Sequence, residues 1–184
     1  PACPNLLEQT MVIAPHQVWV SDFTEIMYKG KKLYIATVED LFTRMIVGFS
    51  IMNNHNVQLI INALLNAVIK HPSPGMIHSD QGSEYKSKSY RDLLKLLNIN
   101  QSMSEAGCPW QNGYQESYYG KMKTDLGDPN RFETLGELVY EIYKTIYDYN
   151  NNRIHTALQM PPIQFANQFI NKNLLESVSN KRGT

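Results

Sequence analysis

The stretch QVWVSDFTEIMYKGKKLYIATVEDLFTRMIVGFSI, residues 17–51, decides the fold. Runs of β-branched and aromatic residues are separated by polar segments at 28–32 and 39–44, which predicts three consecutive antiparallel strands. Because side chains alternate along a strand, Val18, Val20 and Asp22 share one face of the first strand, predicted over 17–23. The sequence therefore places an acid beside apolar residues in a strand.

The rest of the chain mixes helical periodicity with short extended segments. Apolar residues recur at helical spacing from Val57 to Val68, and the run ends at HPSPG, residues 71–75. Two more strands are predicted at 76–80 and 101–104, and further helices at 87–97, 114–124, 135–149 and from 161 onward. The order βββαβαβααα indicates an α/β fold with a five-stranded mixed sheet flanked by helices.

Composition and charge limit the classes of function. A chain of 184 residues is expected to form one domain. It carries 17 basic and 17 acidic residues, so its net charge gives no support for a nucleic-acid or anionic-membrane partner. Two cysteines without a Cys-x-x-Cys pair exclude a disulfide framework and a thiolate zinc site. No run approaches 18 apolar residues, so we expect no membrane association and a cytoplasmic protein.

Three carboxylates are the candidate catalytic groups: Asp22 on the first strand, Asp80 at the end of the fourth, and Glu116 near the start of a helix. Carboxylates brought together from rigid elements are the hard oxygen ligands that Mg²⁺ prefers. A pair of such ions can activate the attacking oxygen and stabilise the leaving oxygen of an in-line phosphoryl displacement. We therefore expect two Mg²⁺ (or Mn²⁺) ions per active site and no other small-molecule cofactor.

The spacing of these acids resembles a known signature. Thirty-five residues separate Asp80 from Glu116, and Lys123 follows Glu116 by seven positions. The pattern resembles the D,D-35-E signature of the retroviral-integrase-like transposases, and four motifs resemble the second-frame transposases of bacterial insertion sequences of family three. The motifs are WVSDFT at 19–24, HSDQGSEY at 78–85, GCPWQNG followed by QESYYGKMK within 107–123, and YNNNRIH at 149–155.

This resemblance implies a ribonuclease H-like fold and a DNA transposase core. The implied activity is metal-dependent DNA strand cleavage followed by strand transfer, in which a 3′-hydroxyl attacks a phosphodiester; Asp22, Asp80 and Glu116 are the implied catalytic metal ligands. The implied partners are the element ends, target DNA and further copies of the chain on that DNA. The expected organisation is a linker at 1–15 from a missing N-terminal DNA-binding region, a catalytic core at 16–170 and a tail at 171–184.

Several side chains near the motifs are candidate DNA contacts. Helical spacing puts Gln115, Tyr119 and Lys123 on one stripe with Glu116, and Asn112 leads into it. The other candidates are basic or aromatic groups close to the same motifs: Lys121, Trp110, His78, Arg153 and His155. For these five residues and for Lys123, a role as ordinary surface or packing residues is the alternative. Glu39 and Asp40 are expected to shape the turn between the second and third strands.

Two other functions remain open at this point. One is a nuclease of the same fold that does not join DNA ends, and the other is a non-catalytic DNA-binding module derived from a transposase. Lys123 disfavours the nuclease, and the presence of all three acids disfavours the non-catalytic module. The neutral net charge does not exclude DNA, because two divalent ions would supply local positive charge to the acids. Most sequence-specific affinity is expected to reside in the N-terminal part.

Overall fold

The computed structural model describes residues 3–105 and 113–171. The strands are β1 (Val18–Tyr28), β2 (Lys31–Asp40), β3 (Ile46–Met52), β4 (Met76–Ser79) and β5 (Asn100–Met103). The helices are α1 (Val57–Lys70), α2 (Lys88–Leu96), α3 (Gly113–Leu126), α4 (Leu135–Asn151) and α5 at 162–171. The predicted order of elements and the α/β fold class are confirmed.

The five strands form one mixed sheet in the order β3-β2-β1-β4-β5. The β1-β2 and β2-β3 pairs are antiparallel, whereas β1-β4 and β4-β5 are parallel. β1 pairs with β2 along almost its whole length but with β4 only from Val18 to Val20. At the centre of the sheet, β1 therefore extends beyond the end of β4, its parallel neighbour.

β1 is longer than the predicted strand, which ended at residue 23. It runs to Tyr28 and turns into β2 through Lys29 and Gly30. Both turn residues have positive φ, 46° and 75°, as a type I′ hairpin turn requires. This tight turn keeps residues 24–28 paired with β2, although Glu25 breaks the apolar pattern of the segment.

Helices cover both faces of the sheet. Trp19, Val38 and Ile77 pack with α1 and α2 on one face, while Ile26 and Ile35 pack with α3 and α4 on the other. α1 lies so close to β3 that a Cβ at Gly48 would sit 2.4 Å from the Ala63 carbonyl oxygen and 2.6 Å from the Ala67 Cβ. Only glycine allows this approach. Within the described ranges, none of the helices combines the length and hydropathy needed to cross a bilayer.

The turn between β2 and β3 is built around Asp40, as predicted. Its Oδ1 accepts hydrogen bonds from the Thr43 N–H at 2.8 Å, the Thr43 hydroxyl at 2.9 Å and the Phe42 N–H at 3.1 Å. The same role predicted for Glu39 is wrong. Because side chains alternate along β2, the Glu39 side chain leaves the turn and is 2% exposed, near Tyr118 and Lys121 of α3.

Candidate active site

Asp22 lies on β1, two residues beyond the last residue that pairs with β4. Its Oδ1 accepts a hydrogen bond from the Phe23 N–H at 2.8 Å. Burial raises the pKa of Asp22 to about 7; the Phe23 N–H opposes this rise, and the charges of Asp80 and Glu116 add to it. Asp80 and Glu116 are therefore close enough to Asp22 for their charges to disfavour its ionisation.

Asp80 directly follows β4, and the sheet register brings it towards Asp22. Val20 pairs with His78, and Asp22 and Asp80 each lie two residues further along the chain from this pair. The Asp80 Oδ1 accepts the Gly82 N–H at 2.9 Å, which closes a tight turn. The next turn, at 83–86, is tied to β1 by the buried hydroxyls of Ser21 and Tyr85, which lie 3.1 Å apart.

Glu116 is exposed in the first turn of α3, and the residues around it fix that helix to the sheet. The Gln115 Nε2 donates to the Val20 carbonyl oxygen at 3.0 Å, and its Oε1 accepts the Thr37 hydroxyl at 2.9 Å. The Tyr119 hydroxyl donates to the Asp22 carbonyl oxygen at 2.6 Å. Two carbonyls of the strand that carries Asp22 thus hold the helix that carries Glu116.

These contacts overturn two of the predicted DNA contacts. Gln115 and Tyr119 are 0% and 6% exposed, so their side chains cannot touch DNA from their positions in this fold. They share a helical stripe with Glu116, but α3 turns that part of the stripe towards the sheet. Their partner Thr37 was missed from the sequence; its only signal is a polar residue within the apolar run LYIATV, residues 33–38.

The predicted DNA contact by His78 is also wrong. Its side chain is 0% exposed within β4, and its Nδ1 lies 2.8 Å from the Ser102 hydroxyl of β5. Burial lowers the pKa of His78 to about 4, so the ring is neutral at physiological pH. His78 is a packing residue of the sheet, although it lies only two positions from Asp80.

The remaining predicted DNA contacts differ in how far solvent reaches their side chains. Lys123 is exposed on α3, while Lys121 and His155 are half-buried at the edge of a small cavity. Arg153 is half-buried and forms an ion pair with Asp125 at the other end of α3. The predictions for Trp110 and Asn112 lie outside the described residues.

The acids suit divalent metal ions by their chemistry. Burial and, to a smaller extent, the charges of Asp80 and Glu116 raise the pKa of Asp22, and a divalent cation would relieve this cost of ionising the carboxyl. Within residues 3–105 and 113–171, however, no three His, Cys, Asp or Glu side chains are already arranged closely enough to hold an ion. One or two carboxylates completed by water and phosphate oxygens are a usual Mg²⁺ ligand set, so the residues present fit such an ion.

Comparison with known proteins shows the family to which the chain belongs. An integrase core domain model matches residues 13–109, and a second integrase core domain model matches residues 97–162. The chain belongs to the integrase core domain family. The chain is 40% identical to the transposase of insertion sequence element IS904 from Lactococcus lactis over 159 residues, which are 84% of this chain. An uncharacterized transposase-like protein of Haemophilus influenzae is 32% identical over 170 residues, which are 91% of this chain and 79% of that relative.

The chain is therefore similar to insertion-sequence transposases, as its motifs predict. It spans 63% of the length of the Lactococcus protein. Among solved structures, the HTLV-2 integrase catalytic core domain in complex with magnesium (trimeric form) aligns with a TM-score of 0.69. The alignment covers 84% of this chain and 98% of that one at 20% identity. The predicted ribonuclease H-like fold, that of the retroviral integrase cores, is confirmed.

Proposed function

We propose that the chain is the catalytic core of an insertion-sequence transposase, which cleaves DNA at an element end and joins the resulting 3′-hydroxyl to a target phosphodiester. The observation that carries this proposal is that Asp80 directly follows β4, the parallel neighbour of the strand that carries Asp22, and that the Glu116 helix is hydrogen-bonded to this Asp22 strand. The 40% identity to the transposase of IS904 supports it.

Asp22, Asp80 and Glu116 would hold the metal ions. Two Mg²⁺ or Mn²⁺ ions, when bound, supply Lewis-acid activation of the attacking oxygen and stabilisation of the leaving oxygen. The magnesium complex of the HTLV-2 core supports the choice of ion. The chain itself supplies the rigid frame: Tyr119 fixes the backbone of Asp22, and the Gly82 N–H orients the Asp80 carboxylate. Asp22 must be ionised to act as a ligand.

DNA is the proposed partner, and Lys123 is the best-placed side chain for a phosphate near the acids. It is exposed and lies two helical turns from Glu116 on the same side of α3. Arg153 is paired with Asp125 through one nitrogen and keeps other N–H donors, so we retain it as a proposed DNA contact. The further proposed contacts are Lys121, His155, Trp110 and Asn112. Function as a homo-oligomer on DNA is supported by the trimeric form of the HTLV-2 core, and a bacterial cytoplasm by the bacterial relatives.

The proposal is tested by Asp80→Asn and Glu116→Gln in a strand-cleavage and strand-joining assay with Mg²⁺. Both substitutions conserve shape and remove a charge, so both activities should fall to background while the thermal unfolding midpoint is retained. Asp92→Asn is the matched control, because Asp92 is an exposed acid of α2 paired with Lys88. Full activity of the folded Asp80 or Glu116 variants would contradict the assignment.

The same assay separates the proposed transposase from the two alternatives. The mixture offers both water and a DNA 3′-hydroxyl as nucleophiles. Hydrolysis without joined product would indicate a nuclease, and no reaction together with no heat of Mn²⁺ binding would indicate a non-catalytic module. Joined product that requires all three acids is the result we expect.

A further inference from the structure

His55 contacts both of the chain segments that carry Asp22 and Asp80. It lies in the loop between β3 and α1 and touches one residue of each segment. Phe23 directly follows Asp22, and Glu84 lies four residues after Asp80. The hydrogen bonds that fix the α3 side of the site do not involve this histidine.

The first contact of His55 is with β1. The His55 and Phe23 rings are stacked, with centroids 6.0 Å apart and planes at 14°. The Tyr34 ring of β2 lies 5.0 Å from the His55 ring at an angle of 53°. Offset and tilted ring pairs at such separations are favourable beyond the area they bury. The imidazole is therefore held against the strand segment that carries Asp22.

The second contact of His55 is with the turn at 83–86. The His55 Nδ1 lies 3.0 Å from the Glu84 Oε1, and the Ser83 hydroxyl donates to the Glu84 Oε2 at 2.9 Å. Burial opposes ionisation of Glu84, but the hydrogen bonds from His55 and Ser83 lower its pKa below the usual value. The Glu84 carboxylate is therefore the acceptor, and the His55 Nδ1 is the donor.

Glu84 faces the same small space as Asp80. A Cβ built at Gly82 would lie 3.0 Å from the Asp80 Oδ1 and 3.4 Å from the Glu84 Oε2. The Gly82 N–H also donates to the Asp80 Oδ1. Because only three residues separate Glu84 from Asp80, a displacement of Glu84 is transmitted to the Asp80 carboxylate within this short segment.

The loop that carries His55 has a rigid base. His55 directly precedes Asn56, which caps α1: its Oδ1 accepts the Gln58 N–H at 3.0 Å. α1 in turn packs closely on β3 at Gly48. The backbone of His55 is therefore fixed by the sheet and by the capped start of a helix.

We propose that His55 is a positioning residue, which fixes Asp80 relative to Asp22 by stacking on Phe23 and donating to Glu84. This role rests on the proposed function, in which both acids hold the metal ions. His55 acts through its two neighbours and is not itself a ligand. It complements, from the α1 face of the sheet, the bonds that fix α3 on the other face.

The test is the affinity of the whole chain for Mn²⁺, measured by EPR of the free ion at pH 8, where Asp22 is ionised. His55→Phe keeps a ring but removes the N–H that reaches Glu84, and His55→Asn keeps an N–H donor but removes the ring. Each should weaken Mn²⁺ binding about tenfold, the lower end of the loss caused by removing groups that orient metal ligands. His71→Asn, the same substitution at the other end of α1, should bind Mn²⁺ like the wild type.

The direction of the change separates positioning from an effect of charge. His55 is either neutral or positive, so His55→Phe would leave Mn²⁺ binding unchanged or tighten it if charge alone mattered. Glu84→Gln keeps an oxygen that accepts the His55 N–H, so it should lose less affinity than Glu84→Leu, which keeps neither acceptor nor charge. Because His55→Phe and Glu84→Leu break the same hydrogen bond, the double variant should bind little more weakly than either single one.

Asp80→Asn separates failure of the positioning role from failure of the proposed function. Unchanged Mn²⁺ affinity in Asp80→Asn would contradict the proposed metal site and the role of His55 with it. Loss of binding in Asp80→Asn, with both His55 variants within twofold of the wild type, would overturn the positioning role alone, as would equal losses in Glu84→Gln and Glu84→Leu. The His55 side chain is 56% exposed, so its variants should fold with little loss of stability.

Discussion

Replacing Asp22 with Asn should stabilise the metal-free protein, although it removes a proposed catalytic ligand. The pKa of Asp22 rises from 3.8 to about 7 on folding, chiefly through burial. Between pH 4 and 7 the folded chain therefore holds a proton that the unfolded chain releases. Stability must fall as pH rises through this window and then remain constant above it.

The size of the effect follows from the same shift. Each unit of pKa corresponds to 1.36 kcal/mol, so ionising the folded carboxyl costs about 4 kcal/mol at pH 8. Asparagine keeps an Oδ1 that can accept the Phe23 N–H and has no charge to bury. We expect Asp22→Asn to gain about 2–4 kcal/mol at pH 8 and almost nothing at pH 5, which for a chain of this size raises Tm by roughly 5 °C or more.

Thermal unfolding in EDTA at pH 5 and pH 8 measures this gain, with Asp92→Asn as an exposed control. Addition of Mg²⁺ at about one thousand times its Kd should reverse the order, because an ion that binds only the folded state then stabilises the wild type by about 4.1 kcal/mol. If Asp22→Asn is no more stable than the wild type at pH 8 in EDTA, the reasoning from buried repulsion fails.

Three further predictions concern the frame around the acids. Thr37→Val removes the hydroxyl shared by Gln115 and Tyr119, so it should lower the free energy of unfolding in urea by about 1–3 kcal/mol and weaken Mn²⁺ binding. The control Thr124→Val breaks an exposed hydrogen bond within α3 and should leave Mn²⁺ binding unchanged. Gly48→Ala should lower the free energy of unfolding by about 1–3 kcal/mol, because its Cβ clashes with α1. Gly120→Ala, where a Cβ meets nothing within 4 Å, should raise the free energy of unfolding by about 0.5–1 kcal/mol. Equal effects of the two substitutions would refute the close packing of α1 on β3. The His78 ring should stay neutral at pH 5 in NMR titration, and the stability it contributes should be lost as pH falls from 6.5 towards 4; a midpoint near 6.5 would disprove its burial.

The sequence predicts those parts of the fold that local periodicity controls. Alternation marked β1, β2 and β3, and the apolar spacing from Val57 to Val68 marked α1. The end of β1 was missed because residues 24–28 are kept extended by pairing with β2 through the hairpin turn, and their own pattern does not show it. Pairing across strands is a tertiary property that one segment does not encode.

The sequence predicts which acids form the candidate site, but it predicts only part of their surroundings. Spacing and motifs predict Asp22, Asp80 and Glu116 as the catalytic acids, and this stays a prediction, whereas helical periodicity does not indicate which edge of the α3 stripe faces the sheet. Gln115 and Tyr119 are buried because Thr37 and two β1 carbonyls provide partners far away in sequence. Glu39 was misjudged for the same reason, since an acid beside a turn has no local sign of lying under a helix.

The position of α3 is set by the residue before Glu116 and the residue three after it, both bonded to the sheet. Glu116 is therefore positioned by two buried neighbours on α3 that are not themselves proposed metal ligands. Loss of either bond would free the acid to move relative to β1 while every carboxylate is still present.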